Sequence, residues 1–185
     1  MKNVPNLISL LRLLLVPFTV WLLISGAFDW AFMTFLVAGI SDGIDGFLVR
    51  RYGWHSRLGA YLDPLADKAL LVSVFVTLGF LKDIPAWLVI IVVSRDALIV
   101  GAVLLARMMD HPVAVKPLMI SKINTVAQIA FAVSVLGIAA LGWPLAPLVT
   151  YGSLPVALLT VLSGAAYLVS WLRHMAEQPH EDRLP

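Results

Sequence analysis

Six apolar runs, each about the length that spans a bilayer, account for most of the sequence: Val4–Gly26, Trp30–Val49, Leu58–Leu81, Ile84–Leu105, Pro117–Leu141 and Leu154–Leu172. About 20 apolar residues in a helix cross the ~30 Å of hydrocarbon in a membrane. In lipid every backbone N–H and C=O must be bonded within the chain, so runs of this length call for helices and exclude an open sheet. Composition agrees, with 61% hydrophobic residues, 13% charged residues and a mean hydropathy of +0.94. The expectation is an all-α, polytopic protein with six transmembrane helices in one domain over residues 1–172, followed by a polar tail over 173–185. No internal repeat or soluble appendage is apparent.

Orientation follows from the basic residues. With six spans, both termini and the second and fourth loops share one side. That side holds Lys2, Arg50, Arg51, Arg57, Arg107, Lys116, Arg173 and Arg183, whereas the other holds Lys82. Cytoplasmic loops accumulate Lys and Arg, so the termini are expected in the cytoplasm. Trp30, Trp54, Trp87, Trp143 and Trp171 fall near the span ends, as interfacial anchors do. Arg12 interrupts the first run and no cleavage site follows it, so that run is read as a retained helix. With no transit peptide in view, a bacterial cytoplasmic (inner) membrane is the expected location. The absence of cysteine excludes disulfides, thiolate metal sites and thiol nucleophiles. His55, His111, His174 and His180 show no ligand spacing, and no nucleic-acid partner is expected.

Inside the spans lie Arg12, Asp42, Asp45, Asp63, Asp67, Lys68, Arg95, Asp96 and Lys122. Ionisable groups at such depth are functional candidates. Spans two and three are joined by the short loop Arg50–Arg57, which predicts antiparallel neighbours. At ~1.5 Å per residue, Asp45 lies ~7.5 Å and Asp42 ~12 Å below Arg50. Measured from Arg57, Asp63 lies ~9 Å and Asp67 ~15 Å deep. The acids therefore fall in two facing layers, Asp45 with Asp63 and Asp42 with Asp67.

Four converging carboxylates cannot all stay ionised in a low dielectric without compensation. Divalent cations provide it, and all-oxygen ligation suits Mg²⁺ or Mn²⁺. Gly43, Gly46 and Gly59 leave room for close approach of a helix or ligand. Pro64 is expected to bend the third helix beside the acids. Arg50 can make bidentate bonds to phosphate at the mouth. Two other readings of the acids stay open at this point: structural pairing with Lys68 or Arg95, and an acid-lined path for protons or cations.

The pattern Asp42-x-x-Asp45-Gly46-x-x-Val49-Arg50, eight residues, Gly59-x-x-x-Asp63-x-x-x-Asp67 resembles the signature of the CDP-alcohol phosphotransferases. Val49 is the one departure, standing where alanine is usual. The resemblance implies an integral membrane enzyme, commonly a homodimer, that moves a substituted phosphate from a CDP-linked donor to an alcohol and releases CMP. It implies that Asp42, Asp45, Asp63 and Asp67 ligate two divalent cations, Mg²⁺ or Mn²⁺. It further implies that Asp67 acts as general base, and that Gly46, Arg50 and Gly59 border the cytidine and pyrophosphate.

Val4-Pro5-Asn6-Leu7-Ile8-Ser9-Leu10-Leu11-Arg12 and Leu62-Asp63-Pro64-Leu65-Ala66-Asp67-Lys68 resemble the anionic-phospholipid branch, whose donor is CDP-diacylglycerol. Ser94-Arg95-Asp96, and Ile120-Ser121-Lys122-Ile123-Asn124-Thr125 followed by Gln128, are similar to the cardiolipin-forming members, whose acceptor is phosphatidylglycerol. The alternative is phosphatidylglycerophosphate synthesis from glycerol 3-phosphate, whose enzymes carry a second lysine where Asn124 stands. A dianionic acceptor favours more fixed positive charge than a lipid phosphodiester does, so the missing lysine tilts the expectation to phosphatidylglycerol. Arg95 and Lys122 are the expected acceptor-phosphate clamp. Their structural alternative is Arg95 neutralised by a neighbouring carboxylate and Lys122 reaching for the cytoplasmic surface.

Overall fold

The computed structural model describes residues 4–52, 59–108 and 119–176, with side-chain surroundings for residues 10–43, 66–101 and 119–172. Six helices occupy the described residues: α1 Val4–Ile24, α2 Phe28–Tyr52, α3 Gly59–Phe80, α4 Ala86–Met108, α5 Met119–Ala140 and α6 Ala146–Ala176. By length and composition, Met119–Ala140 and Ala146–Leu172 are apolar enough to cross a membrane. Large apolar side chains also project outward from every helix, among them Leu14, Ile40, Phe80, Ile90, Val126 and Leu158. Such extensive exposed apolar surface is foreign to a soluble monomer and suits a lipid surround.

Three helix ends close in the same way. After α1, Gly26 adopts φ 74° and its N–H donates to the Leu23 carbonyl at 3.0 Å, while the Ala27 N–H donates to Leu22 at 2.9 Å. After α5, Gly142 (φ 66°) and Trp143 donate to Ala139 and Ile138 in the same register. Carbonyls left open by the last turn are thereby satisfied at each end. At the end of α3 the left-handed position is filled by Lys82, at φ 67°, with Asp83 donating to Leu78 at 2.9 Å. A side chain there costs about 1–2 kcal/mol that glycine avoids.

Contacts between helices run α1–α2–α5–α6–α4–α3 and return to α1, forming a closed ring. Its core includes Leu23, Ala31, Ala38, Val74, Phe75, Leu78, Leu88, Val92, Val135 and Leu136, with Phe75 and Phe131 tilted against each other at 6.2 Å across α3 and α5. Two expectations change. Among the described residues helices α2 and α3 touch only sparingly, and α1 packs closely against both. A short loop limits how far apart two helices can stand, but it does not make them each other's main packing partners.

The last helix starts at Ala146, eight residues before the expected Leu154, and runs through Pro155. Proline in a helix interior removes one backbone bond. Here the turns before it carry Leu148 and Val149 onto the core, which offsets that loss. Pro64 and the expected bend beside it lie outside the residues whose side chains are described.

Candidate active site

Helices α1, α2 and α3 bring the first cluster together. Arg12 of α1 is 1% exposed, and its Nη1 donates to Asp42 Oδ1 at 2.8 Å and to Asp67 Oδ1 at 2.5 Å. Asp42 and Asp67 are thus facing acids on two helices, joined by one nitrogen from a third. Both acidic side chains remain more than two-fifths exposed. A buried cation behind and open carboxylate edges in front define an anionic mouth.

That mouth opens into a cavity of about 400 Å³ between α2, α3 and α5. Along each helix the lining runs from polar to apolar in the same direction. On α2 it passes from Asp42 down to Ile40 and Phe35, on α3 from Asp67 and Lys68 to Leu70 and Leu71, and on α5 from Thr125 to Ile129 and Val133. Charge at one end and hydrocarbon along the walls match a molecule that is itself polar at one end and oily at the other.

Asp45, Gly46, Arg50, Gly59 and Asp63 fall on α2 and α3, at positions whose side chains lie outside the described residues. Among the described residues no group of three His, Cys, Asp or Glu side chains converges as a metal cage. The donor chemistry of the two described acids nevertheless fits a hard divalent cation. Their oxygens lie within hydrogen-bond reach of a single point, both are carboxylate, and both are accessible from the cavity.

A second cluster adjoins the first. Asp96 of α4 accepts from Lys68 Nζ at 2.6 Å and from Arg95 Nη1 at 2.7 Å, both on Oδ1. Arg95 Nη2 donates to Ser121 Oγ of α5 at 2.5 Å and Ser163 Oγ of α6 at 2.6 Å, and the guanidinium lies 5.8 Å from the Tyr167 ring centroid. Arg95 and Asp96 are each 5% exposed. The structure therefore commits the two terminal Arg95 nitrogens to Asp96 on its own helix and to serines of α5 and α6, and leaves Lys68 lining the cavity. Lys122 is exposed on the first turn of α5.

A third cluster pins α5 to α6. Thr160, Asn124 and Gln128 are fully buried, with Thr160 Oγ1 2.8 Å from Asn124 Oδ1 and Gln128 Nε2 donating to Thr160 Oγ1 at 3.1 Å. Asn124 thus faces α6, whereas Thr125 faces the cavity. The sequence places Arg12 among the charges inside the spans but does not show that it joins Asp42 to Asp67. Its depth in an apolar run was the available signal. Thr160, Ser163 and Tyr167 carry no such mark, since small hydroxyls and an aromatic residue are ordinary in an apolar helix.

Residues 2–172 match the family model described as CDP-alcohol phosphatidyltransferase. The chain is 38% identical over 144 residues to a rice (Oryza sativa subsp. japonica) chloroplastic CDP-diacylglycerol–glycerol-3-phosphate 3-phosphatidyltransferase, covering 69% of this chain and 44% of that protein. It is 34% identical over 143 residues to a Homo sapiens cardiolipin synthase (CMP-forming), covering 69% and 48% respectively. A Streptomyces coelicolor cardiolipin synthase (CMP-forming) is 34% identical over 116 residues, covering 60% and 54%. The chain spans about half the length of these relatives.

Proposed function

Because the chain belongs to the CDP-alcohol phosphatidyltransferase family, we propose that it transfers a phosphatidyl group from CDP-diacylglycerol to the hydroxyl of phosphatidylglycerol, yielding cardiolipin and CMP. One observation carries the choice of donor: the cavity continues from Asp42, Asp67 and Lys68 into walls of Phe35, Ile40, Leu70, Ile129 and Val133. A lipid presents a phosphate and an acyl chain in that order, as the CDP-diacylglycerol donor does, and the missing second lysine where Asn124 stands favours phosphatidylglycerol over glycerol 3-phosphate as the acceptor.

In this reading the acceptor oxygen attacks the phosphatidyl phosphorus, a new P–O bond forms, and the pyrophosphate P–O bond breaks to release CMP. Asp67 takes the proton of the attacking hydroxyl, a poor nucleophile near neutral pH. Asp42, Asp45, Asp63 and Asp67 would hold two Mg²⁺ or Mn²⁺ ions, which when bound supply charge neutralisation for the pyrophosphate and the departing CMP. Gly46 and Gly59 let the nucleotide approach backbone, and Arg50 pairs with phosphate at the mouth. Lys68 and Lys122 provide positive charge for the acceptor's phosphate. Arg95 acts on it indirectly, by holding Asp96, which holds Lys68.

All six helices cross the membrane in this reading, with termini and active site at the cytoplasmic face of a bacterial inner membrane, and the enzyme works as a homodimer. Detergent-purified protein given CDP-diacylglycerol, Mn²⁺ and a panel of acceptors tests the assignment. CMP release with phosphatidylglycerol supports it. Release with glycerol 3-phosphate alone moves the chain to phosphatidylglycerophosphate synthesis, and release with neither refutes phosphatidyl transfer and reopens proton or cation transport.

A further inference from the structure

We propose that Arg12 is the resident counter-ion of the metal site: its guanidinium holds Asp42 and Asp67 together before a divalent cation arrives, and must give way for the cation to bind. The inference rests on Asp42 and Asp67 being metal ligands, and it assigns a role to a residue on a helix that carries none of the acids.

Geometry is the first support. One nitrogen, Arg12 Nη1, lies 2.8 Å from Asp42 Oδ1 and 2.5 Å from Asp67 Oδ1. A small divalent cation bound by the same two oxygens would sit ~2.0–2.1 Å from each. The nitrogen and the ion therefore need the same ground, and the oxygens must close in on the ion beyond where the guanidinium keeps them.

Burial is the second. Arg12 is 1% exposed, whereas the two acidic side chains are 43% and 42% exposed. Arg12 enters from the α1 side, and a cation enters from the cavity that both acids line. Approach from opposite sides makes exchange possible without dismantling the mouth.

Charge is the third. Lys68 Nζ is bonded to Asp96, which leaves Arg12 as the cation in direct contact with the described acid pair. Two carboxylates drawn together on facing helices in a low dielectric need a counter-charge whenever the metal is absent. With a divalent ion in place, the same guanidinium becomes a like charge at contact distance. Arg12 is accordingly a positioning residue: it presets the spacing and ionisation of the ligands and sets how tightly the ion is held.

Mn²⁺ titration of the full-length protein in detergent at pH 8, followed by electron paramagnetic resonance, tests this, together with thermal melting of the metal-free form. Arg12→Gln should bind Mn²⁺ about tenfold tighter than wild type, while its metal-free form melts lower. Arg12→Lys keeps the charge on a shorter stem that cannot span both acids, and should bind Mn²⁺ about threefold tighter. A field effect alone would leave Arg12→Lys at wild-type affinity, so unchanged or weaker binding in that variant overturns the exchange. Metal-free melting that does not fall in either variant overturns the counter-ion role. If the wild-type protein binds no Mn²⁺, the metal reading fails first and carries this proposal with it.

Discussion

Asp96 is the test of how buried charge is organised beside the cavity. Its Oδ1 accepts from both Lys68 and Arg95, so Asp96→Leu leaves two cations without their shared counter-ion. Breaking a buried ion pair from one side costs about 3–5 kcal/mol. The lower end applies, because the Lys68 side chain is 37% exposed and can turn to the cavity. Arg95→Met removes more bonds, those to Asp96, Ser121 and Ser163, yet it leaves Asp96 paired with Lys68 and the serines free to bond helix carbonyls. Its cost should be about 1–2 kcal/mol. The double variant buries no unpaired guanidinium and should recover at least ~1 kcal/mol relative to Asp96→Leu alone. SDS-induced unfolding in mixed micelles, followed through the six tryptophans, measures all three. The reasoning is refuted if Arg95→Met costs as much as Asp96→Leu and the two losses simply add.

Other expectations are more local. Asp67→Asn should abolish turnover while CDP-diacylglycerol binding persists, and Asp42→Asn should weaken both; near-wild-type CMP release from Asp67→Asn rules out the general-base role. Lys82→Gly should stabilise the protein by about 1 kcal/mol, because glycine adopts φ 67° without a Cβ penalty, and an unchanged unfolding midpoint would contradict that. In the same turn, burial raises the pKa of Asp83, so its neutral form is favoured in the fold. Its stabilising contribution is present at low pH and lost as pH rises through the folded pKa. Asp83→Asn should therefore melt above wild type at pH 7, with the gap closing as the acid protonates; a gap that persists in acid would show that charge is not its cause.

The helix count and the pairing of Asp42 with Asp67 could be read from sequence because both depend on local spacing. Apolar length marks a span, and depth counted from the Arg50–Arg57 loop set two acids at one level. The ring order could not be read that way. Nothing in the apolar residues of α1 says that it packs against both α2 and α3, and the partners of Arg12 follow from that placement alone. The start of α6 was misplaced because Pro155 looks like a first-turn proline, while the packing that carries the helix past it depends on residues distant in sequence. That Asn124, standing where related enzymes carry a lysine, bonds across to α6 could not be read either, because one-dimensional spacing gives a helix face but not which neighbour that face meets.

The seam through Asn124, Thr160 and Gln128 fixes the roll of α5 about its own axis, and with it the part of the helix that Thr125, Ile129 and Val133 present to the cavity. A lysine at position 124 would thrust an ammonium at Thr160 and rotate that wall. Substitution at this position is therefore a two-helix event, in which residues 124 and 160 must change in concert.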